Sequence, residues 1–466
     1  MCTTLLAGKN ATLSGYVLMG ANDDWDNVPG VLTHVPRRTN APGTMYRLVG
    51  GYEIPELPET FGYSYTACSY EIGHLDKGWA GGVNDQQVAA AGTGACAFKY
   101  INWDGHKLEP DDVQLLILRR ARTAREGIRI VGDLIAKYGF GPSGLAECPS
   151  MATYAIADPH EAWWLEIAPG NHWIATRVPD DEVSVRPNAY GTHYVDLTDT
   201  HNVMHSPGLA EYAREQGWWN GEDTCFDFAS IYGLEVSPNA EWGSEIDNMN
   251  ILRRWRAMEM LSGEKSGERD FLYSVKPNRK LTKQDFMDVF SDVYDDTKYD
   301  LRKTPQAGPY GNPFTDDAPE YALCRRGTVA SIVVELDGEK DWAHMWTCMA
   351  TPRMGVYMPL YSDIDSLPAA CMGANPCDDA APSFFWEWKQ LGYLIQRRYA
   401  PHWEQVRPAM DAYEAESTRL LAEADEKMAA LTGEERRKAM TEFTAERIET
   451  ARKLCKELYT QLCLNY

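Results

Sequence analysis

Three observations predict an α+β architecture. The first hundred residues are short strand-prone runs broken by Gly, Asn and Asp. Helical periodicity starts only near Asp111. The last sixty residues change to a nearly continuous helical composition of Glu, Ala, Arg, Lys, Met and Leu. The 466-residue chain thus reads as a body over residues 1–400 and a C-terminal helical hairpin over 401–466.

The strands come first. Thr3–Ala7 is β-prone, Gly8-Lys9-Asn10-Ala11 is a turn signal, and Tyr16–Met19 is apolar again and ends at Gly20, which is a hairpin pattern. A turn centred near Ala11 places Cys2 opposite roughly Gly20, so the returning strand brings residues 21–25 beside the chain's start. Tyr63–Cys68, Gln87–Ala91, Met151–Ile156, Ala162–Ile167 and His172–Arg177 repeat the strand style. Two acids open a helix near Asp111, where the helix dipole favours them. Thr123 and Glu126 form a capping-box pattern ahead of Ile128, Val131 and Ile135, and Gly139 is the stop. Residues 250–261 and 282–294 read as further helices, the second capped by Thr282. Residues 297–321, rich in Pro, Gly, Asp and Tyr, read as a long loop. Strand signals return at Val329–Leu336 and His344–Met349.

In the tail, Met410, Tyr413, Ser417, Leu420, Ala424, Met428 and Leu431 recur three or four apart. Thr432-Gly433-Glu434-Glu435 interrupts the stripe, and Ile448, Ala451, Cys455, Leu458 and Leu462 resume it. Such a hairpin either packs on the body or serves self-association.

Composition excludes whole classes. Fifteen Trp, 25 Tyr and 12 Phe must pack somewhere, which rules out a disordered chain. A net charge of −23 repels nucleic acid and anionic membrane, so neither is expected as a partner. No run reaches the roughly 18 apolar residues of a membrane helix. Met1–Ala7 lacks the basic start and long apolar run of a signal peptide, which predicts a cytoplasmic protein. The 11 Cys are scattered and form no C-x-x-C pair. Even Cys371 with Cys377 and Cys455 with Cys463 are expected to be thiols. His201 and His205 are four apart but lack the Glu of a zinc helix and a third ligand. Gly92-Thr93-Gly94 lacks the third glycine of a dinucleotide loop. No metal and no cofactor is expected.

The chemistry points to Cys2. Removal of Met1, expected when a small residue follows, leaves a thiol and a free α-amine on one residue. An α-amine titrates near ~7.7–8.0 and can take the thiol proton, so one residue supplies nucleophile and base. A small residue after Met is common, so position alone decides little.

Sequence blocks add to it. Cys2-Thr3-Thr4, Gly8-Lys9-x-Ala11-Thr12 and Asn22-Asp23-Asp24 resemble the start of the Cys-nucleophile dipeptidases, the dipeptidase A and secernin-like family of N-terminal nucleophile (Ntn) hydrolases. The resemblance continues in order through Gly82-Val83-Asn84-Asp85, Thr123-Ala124-Arg125-Glu126, Glu161–Ile167, Arg186-Pro187-Asn188, Asn250-x-x-Arg253-x-Trp255, Tyr294-Asp295-Asp296-Thr297 and Val356–Tyr361. Only the C-terminal helices are weakly covered.

The resemblance implies an αββα sandwich, two stacked antiparallel sheets with helices on both outer faces. It implies metal-free hydrolysis of small peptides, chiefly dipeptides. Cys2 matches the nucleophile, and Asp24 the acid that orients the N-terminal amine. Asn188 matches an oxyanion or substrate contact. Arg253 matches an Arg near the nucleophile, whose charge is expected to favour thiolate. Asn22 and Asn84 are candidate substrate-pocket residues. Ala21 departs from the Arg usual in relatives, which bears on specificity more than on reaction class. Two other readings stand beside this one. The first is an amidase acting on a penicillin-V-like or bile-acid-like amide. The second is a non-catalytic secernin-like interaction protein. An acidic hydrolase with a helical arm also suggests a homo-oligomer.

Overall fold

Thr3–Ala7 and Val17–Asp24 pair antiparallel, with Thr3 opposite Asn22. The turn between them is wider than the sequence suggests. Asn10 and Ala11 donate their N–H groups to Asp180 O at 2.7 and 3.0 Å, and Leu13 to Leu281 O at 2.8 Å. Distant chain therefore sets the register and shifts the residue facing Cys2 from Gly20 to Asp23. Gly20 does not end its strand. A Cβ there would stand 2.7 Å from the Phe290 ring, so the glycine lets the helix Lys283–Ser291 lie against the sheet.

The computed structural model describes residues 2–25, 28–68, 81–95, 105–141, 151–233, 241–268, 273–316, 322–372 and 383–464. Cys377 lies outside them. The first two strands are central in a seven-stranded antiparallel sheet. Its order is Ser274–Val275, Val183–Arg186, Thr3–Ala7, Val17–Asp24, Thr328–Leu336, His344–Met349 and Met358–Tyr361. An eight-stranded antiparallel sheet runs Val203–His205, His172–Val178, Ala162–Ala168, Met151–Ala157, Ala89–Ala95, Gly82–Asn84, Tyr63–Cys68 and Gly30–Val35.

Strand alternation sorts the apolar side chains into three cores. Leu6, Met19, Ala21 and Ile332 of the first sheet meet Ala91, Ala155 and Trp164 of the second between the sheets. Their neighbours Leu5, Leu18 and Val333 point the other way, onto Met258, Phe286 and Phe290. On the second sheet Ala90, Ile156, Trp163 and Leu165 point out to Leu115, Ile128 and Val131. One sheet-to-sheet core and two sheet-to-helix cores make an αββα sandwich.

The helices start and stop as their sequences dictate. Pro110–Arg120 opens with a capping box between Glu109 and Asp112. Ala124–Tyr138 is capped by Thr123, whose Oγ1 accepts the Glu126 N–H at 3.1 Å, and it ends at Gly139 with φ 69°. The helix read over residues 250–261 extends from Glu241 to Ser262. Residues 301–310 form only short 3-10 turns within the long loop, and residues 317–321 lie outside the described chain. Val203–His205 is a strand, so His201 and His205 never share a helical face.

The tail is a hairpin of Tyr399–Ala430 and Gly433–Leu464. Its stripe packs on the body. Met410 and Tyr413, with Ile448, Ala451, Cys455, Leu458 and Leu462, join the core beside Leu391 and Leu360. Leu421 rather than Leu420 is buried, because the spacing after Ser417 is four residues. No described helix is long and apolar enough to cross a membrane.

Candidate active site

In an antiparallel ladder, one step back on a strand is one step forward on its partner. Thr4 pairs with Arg186 on one side, and Thr3 with Asn22 on the other. Carried past the strand's end, this register sets Cys2 between Asn188 and Asp23. Asn188 meets Cys2 there through its side chain.

The Cys2 backbone N–H donates to Asn188 Oδ1 at 2.9 Å. The same oxygen accepts from Arg253 Nη2 at 2.9 Å, which fixes which end of the amide is oxygen. Arg253 Nη1 donates to Cys2 O at 2.6 Å and to Thr3 Oγ1 at 3.0 Å. Asn250, one turn earlier on the same helix, accepts from Arg253 Nη2 at 2.8 Å and donates to Asn188 O at 3.0 Å. Asn188 Nδ2 donates one hydrogen to Gly94 O at 2.7 Å. Its other hydrogen has no partner among the described residues. The guanidinium thus clamps the first residues of the chain to the helix layer.

The thiol faces the space between the sheets. Cys2 Sγ–H donates to Asp23 Oδ1 at 3.6 Å, and Cys68 Sγ–H, from the facing sheet, donates to Asp23 Oδ2 at 2.7 Å. Asp24 Oδ1 accepts the Thr328 hydroxyl at 2.6 Å, and Arg325 and Arg253 bear on it electrostatically.

Burial dominates the electrostatics. It pushes the Cys2 thiol up to about 12, and Asp23 and Asp24 push the same way. The group is a thiol. Arg253 does not make it a thiolate, since the guanidinium sits on the Cys2 carbonyl rather than on the sulfur. Burial raises Asp23 to about 6 against the opposing thiol hydrogen bonds. Burial also raises Asp24, with the arginines opposing, and lowers Arg253, with Asp24 opposing.

Cys2, Asp24, Asn188 and Arg253 therefore gather, and Asn22 and Asn84 do not join them. Asn22 lies on the strand's other face, where Nδ2 donates to Phe290 O and Leu323 O at 3.2 and 2.8 Å. Asn84 holds a turn, donating to Leu118 O and Ala121 O and accepting from the N–H groups of Gln86 and Val88. Asp23, Cys68, Asn250 and Thr3 were not singled out by sequence reasoning. Strand parity with Cys2 is the signal for Asp23, and a one-turn spacing from Arg253 is the signal for Asn250. No metal-binding group of three or more His, Cys, Asp or Glu occurs among the described residues.

Residues 1–413 match the profile described as Peptidase family C69. The chain belongs to this family. A probable dipeptidase of Latilactobacillus sakei is 29% identical over 414 residues, spanning 85% of this chain and 81% of its own. Probable dipeptidase A of Streptococcus pyogenes serotype M1 is 25% identical over 435 residues, spanning 86% and 83%. A crystal structure of the C2A mutant of conjugated bile acid hydrolase from Clostridium perfringens is 12% identical, spans 75% of this chain and 89% of its own, and superposes with a TM-score of 0.34.

A peptidase needs a nucleophile, a group to take its proton and a donor for the oxyanion. In this C69 peptidase Asn188 meets the nitrogen of Cys2, and the thiol of the same residue meets Asp23.

Proposed function

We propose that this C69 peptidase hydrolyses dipeptides with Cys2 as an N-terminal nucleophile, exposed when Met1 is removed. The observation that carries the reading is Asn188 holding the Cys2 nitrogen at 2.9 Å, beside a thiol that reaches Asp23. While Met1 is attached, that nitrogen is a peptide N–H and only donates. Once freed it is an amine, partly unprotonated near neutral pH, and it takes the thiol proton. Sγ then attacks the scissile carbonyl. The C–N bond breaks as the amine returns the proton to the leaving group, and water hydrolyses the thioester by the reverse path. The spare Asn188 hydrogen suits the oxyanion, a donor typically worth about 3 kcal/mol in the transition state. The names of the Latilactobacillus and Streptococcus relatives support dipeptides as the substrate class.

The test pairs intact-mass measurement of active enzyme with the Cys2→Ala variant. Active material is expected to lack Met1. Cys2→Ala should lose about a thousandfold or more in kcat/KM while keeping its circular dichroism, and a chelator should leave the wild type unaffected. Full activity with Met1 in place would falsify the reading.

A further inference from the structure

We propose that Asp23 binds the free α-ammonium of the substrate's N-terminal residue and thereby selects which carbonyl meets Cys2 Sγ. The proposal rests on Cys2 as the nucleophile.

Asp23 is an unusual buried acid in this chain. It is 4% exposed, and its hydrogen-bond donors are two thiols, Cys2 and Cys68. Thiols are weak donors. Other buried acids are better matched. Asp112 takes the N–H groups of Val49 and Glu109, and Asp158 that of Ala124. Asp292 pairs with Arg256, and Asp300 with Arg302. Among the described residues, no Lys, Arg or His forms an ion pair with Asp23. Its neighbour Asp24, by contrast, lies in the field of Arg253 and Arg325. The cation that bears on Asp23 is the chain's own terminal ammonium; no side-chain cation pairs with it among the described residues, and a substrate ammonium supplies a further one.

Distances fit one substrate class. In an α-amino acid the amine nitrogen and the carbonyl carbon flank one Cα and lie about 2.5 Å apart. An ammonium–carboxylate contact needs about 2.8 Å, and near-attack approach of sulfur to carbon about 3–3.5 Å. Cys2 Sγ and Asp23 Oδ1 stand 3.6 Å apart, so these four distances close into a ring. An amine seated on Asp23 holds the first carbonyl of the peptide within reach of the sulfur. The site therefore takes peptides with a free N-terminus and cleaves the first bond. Substrates with an acylated or missing amine leave the carboxylate without this further cation.

The experiment compares kcat/KM for a dipeptide and for the same molecule with the α-amine replaced by hydrogen, in processed wild type and in Asp23→Asn. The wild type should favour the amine by about 100-fold or more. In Asp23→Asn that ratio should fall to within about threefold, mostly through KM. An amine-indifferent wild type, or a variant that keeps the full ratio, overturns the proposal. If the variant does not fold, the wild type still decides through competitive inhibition. Amino-acid amides should inhibit, and their N-acetyl forms should not; equal inhibition overturns it. Cys2→Ala separates the two readings. Activity there with the amine preference intact removes the nucleophile and supports Asp23, whereas Cys2-dependent activity blind to the amine removes Asp23 alone.

Discussion

The backbone nitrogen of Cys2 and the side-chain oxygen of Asn188 lie 2.9 Å apart although 186 positions separate them in the chain. That contact, with Arg253 on the same oxygen, fixes the start of the first strand against the helix Glu241–Ser262.

Asn188→Ala removes the acceptor of two N–H groups and the donor to Gly94 O. Groups left buried without partners each cost about 1–3 kcal/mol. We expect urea unfolding to show a loss of about 2–3 kcal/mol, and steady-state kinetics to show kcat lower by about 100-fold or more. A variant with normal kcat removes Asn188 from the chemistry.

Arg253 is fully buried and meets four acceptors through two nitrogens. Arg253→Met should destabilise by about 3–5 kcal/mol, since it leaves the carboxylate field around Asp24 without this cation. Arg253→Lys should recover only part, because a point-like ammonium cannot span the same fork. Chemical denaturation of both variants checks the order, and a fully rescuing Lys would show that charge alone matters.

The α+β elements were readable from the sequence because strand runs, caps and the tail stripe are local signals, whereas the αββα layering was what the family resemblance implied. Thr123, Gly139 and the residues Ile448 to Leu462 announce themselves within one element. The site was less readable, because its register is set from outside. The loop after Ala7 is tied to Asp180 and Leu281, so counting from a tight turn misplaced the partner of Cys2 by three residues. In Asn22-Asp23-Asp24 a period of two decides which side chain meets sulfur, and only the true register shows that it is Asp23. Asn22 and Asn84 lie away from the thiol, their amide hydrogens taken by buried carbonyls.

Asp23 carries a stability signature. Its carboxyl titrates near 6 when folded against 3.8 ordinarily, raised by burial. A raised acid makes the folded state bind more protons between those values, so stability falls as pH rises from about 4 to 6. Above that window the ionised group costs about 3 kcal/mol. Asp23→Asn should therefore be more stable than wild type at pH 8 by roughly that amount, and the gain should vanish near pH 4. Melting curves across pH test this, and a gain that persists at pH 4 would place its origin elsewhere.

Asp425 ties the tail to the body and titrates in the opposite sense. Its carboxylate accepts from His344 Nε2 at 3.0 Å, Lys340 Nζ at 2.7 Å and the Tyr361 hydroxyl at 2.9 Å, all from the strand region of the body. Burial alone would raise it, but His344 and Lys340 outweigh burial and hold it well below the usual carboxylate range. A depressed acid stabilises fully above its unfolded value and loses that contribution as pH falls toward the folded one. Asp425→Asn should therefore destabilise by about 1.5–3 kcal/mol at pH 7, the range for hydrogen bonds to a charged group. The gap between the proteins should narrow once the pH drops below about 4. Because the carboxylate anchors the hairpin near its bend, amide exchange in residues 421–430 should accelerate before exchange in the strand Thr328–Leu336. Equal acceleration in both segments would mean that the hairpin and the sandwich open as one cooperative unit.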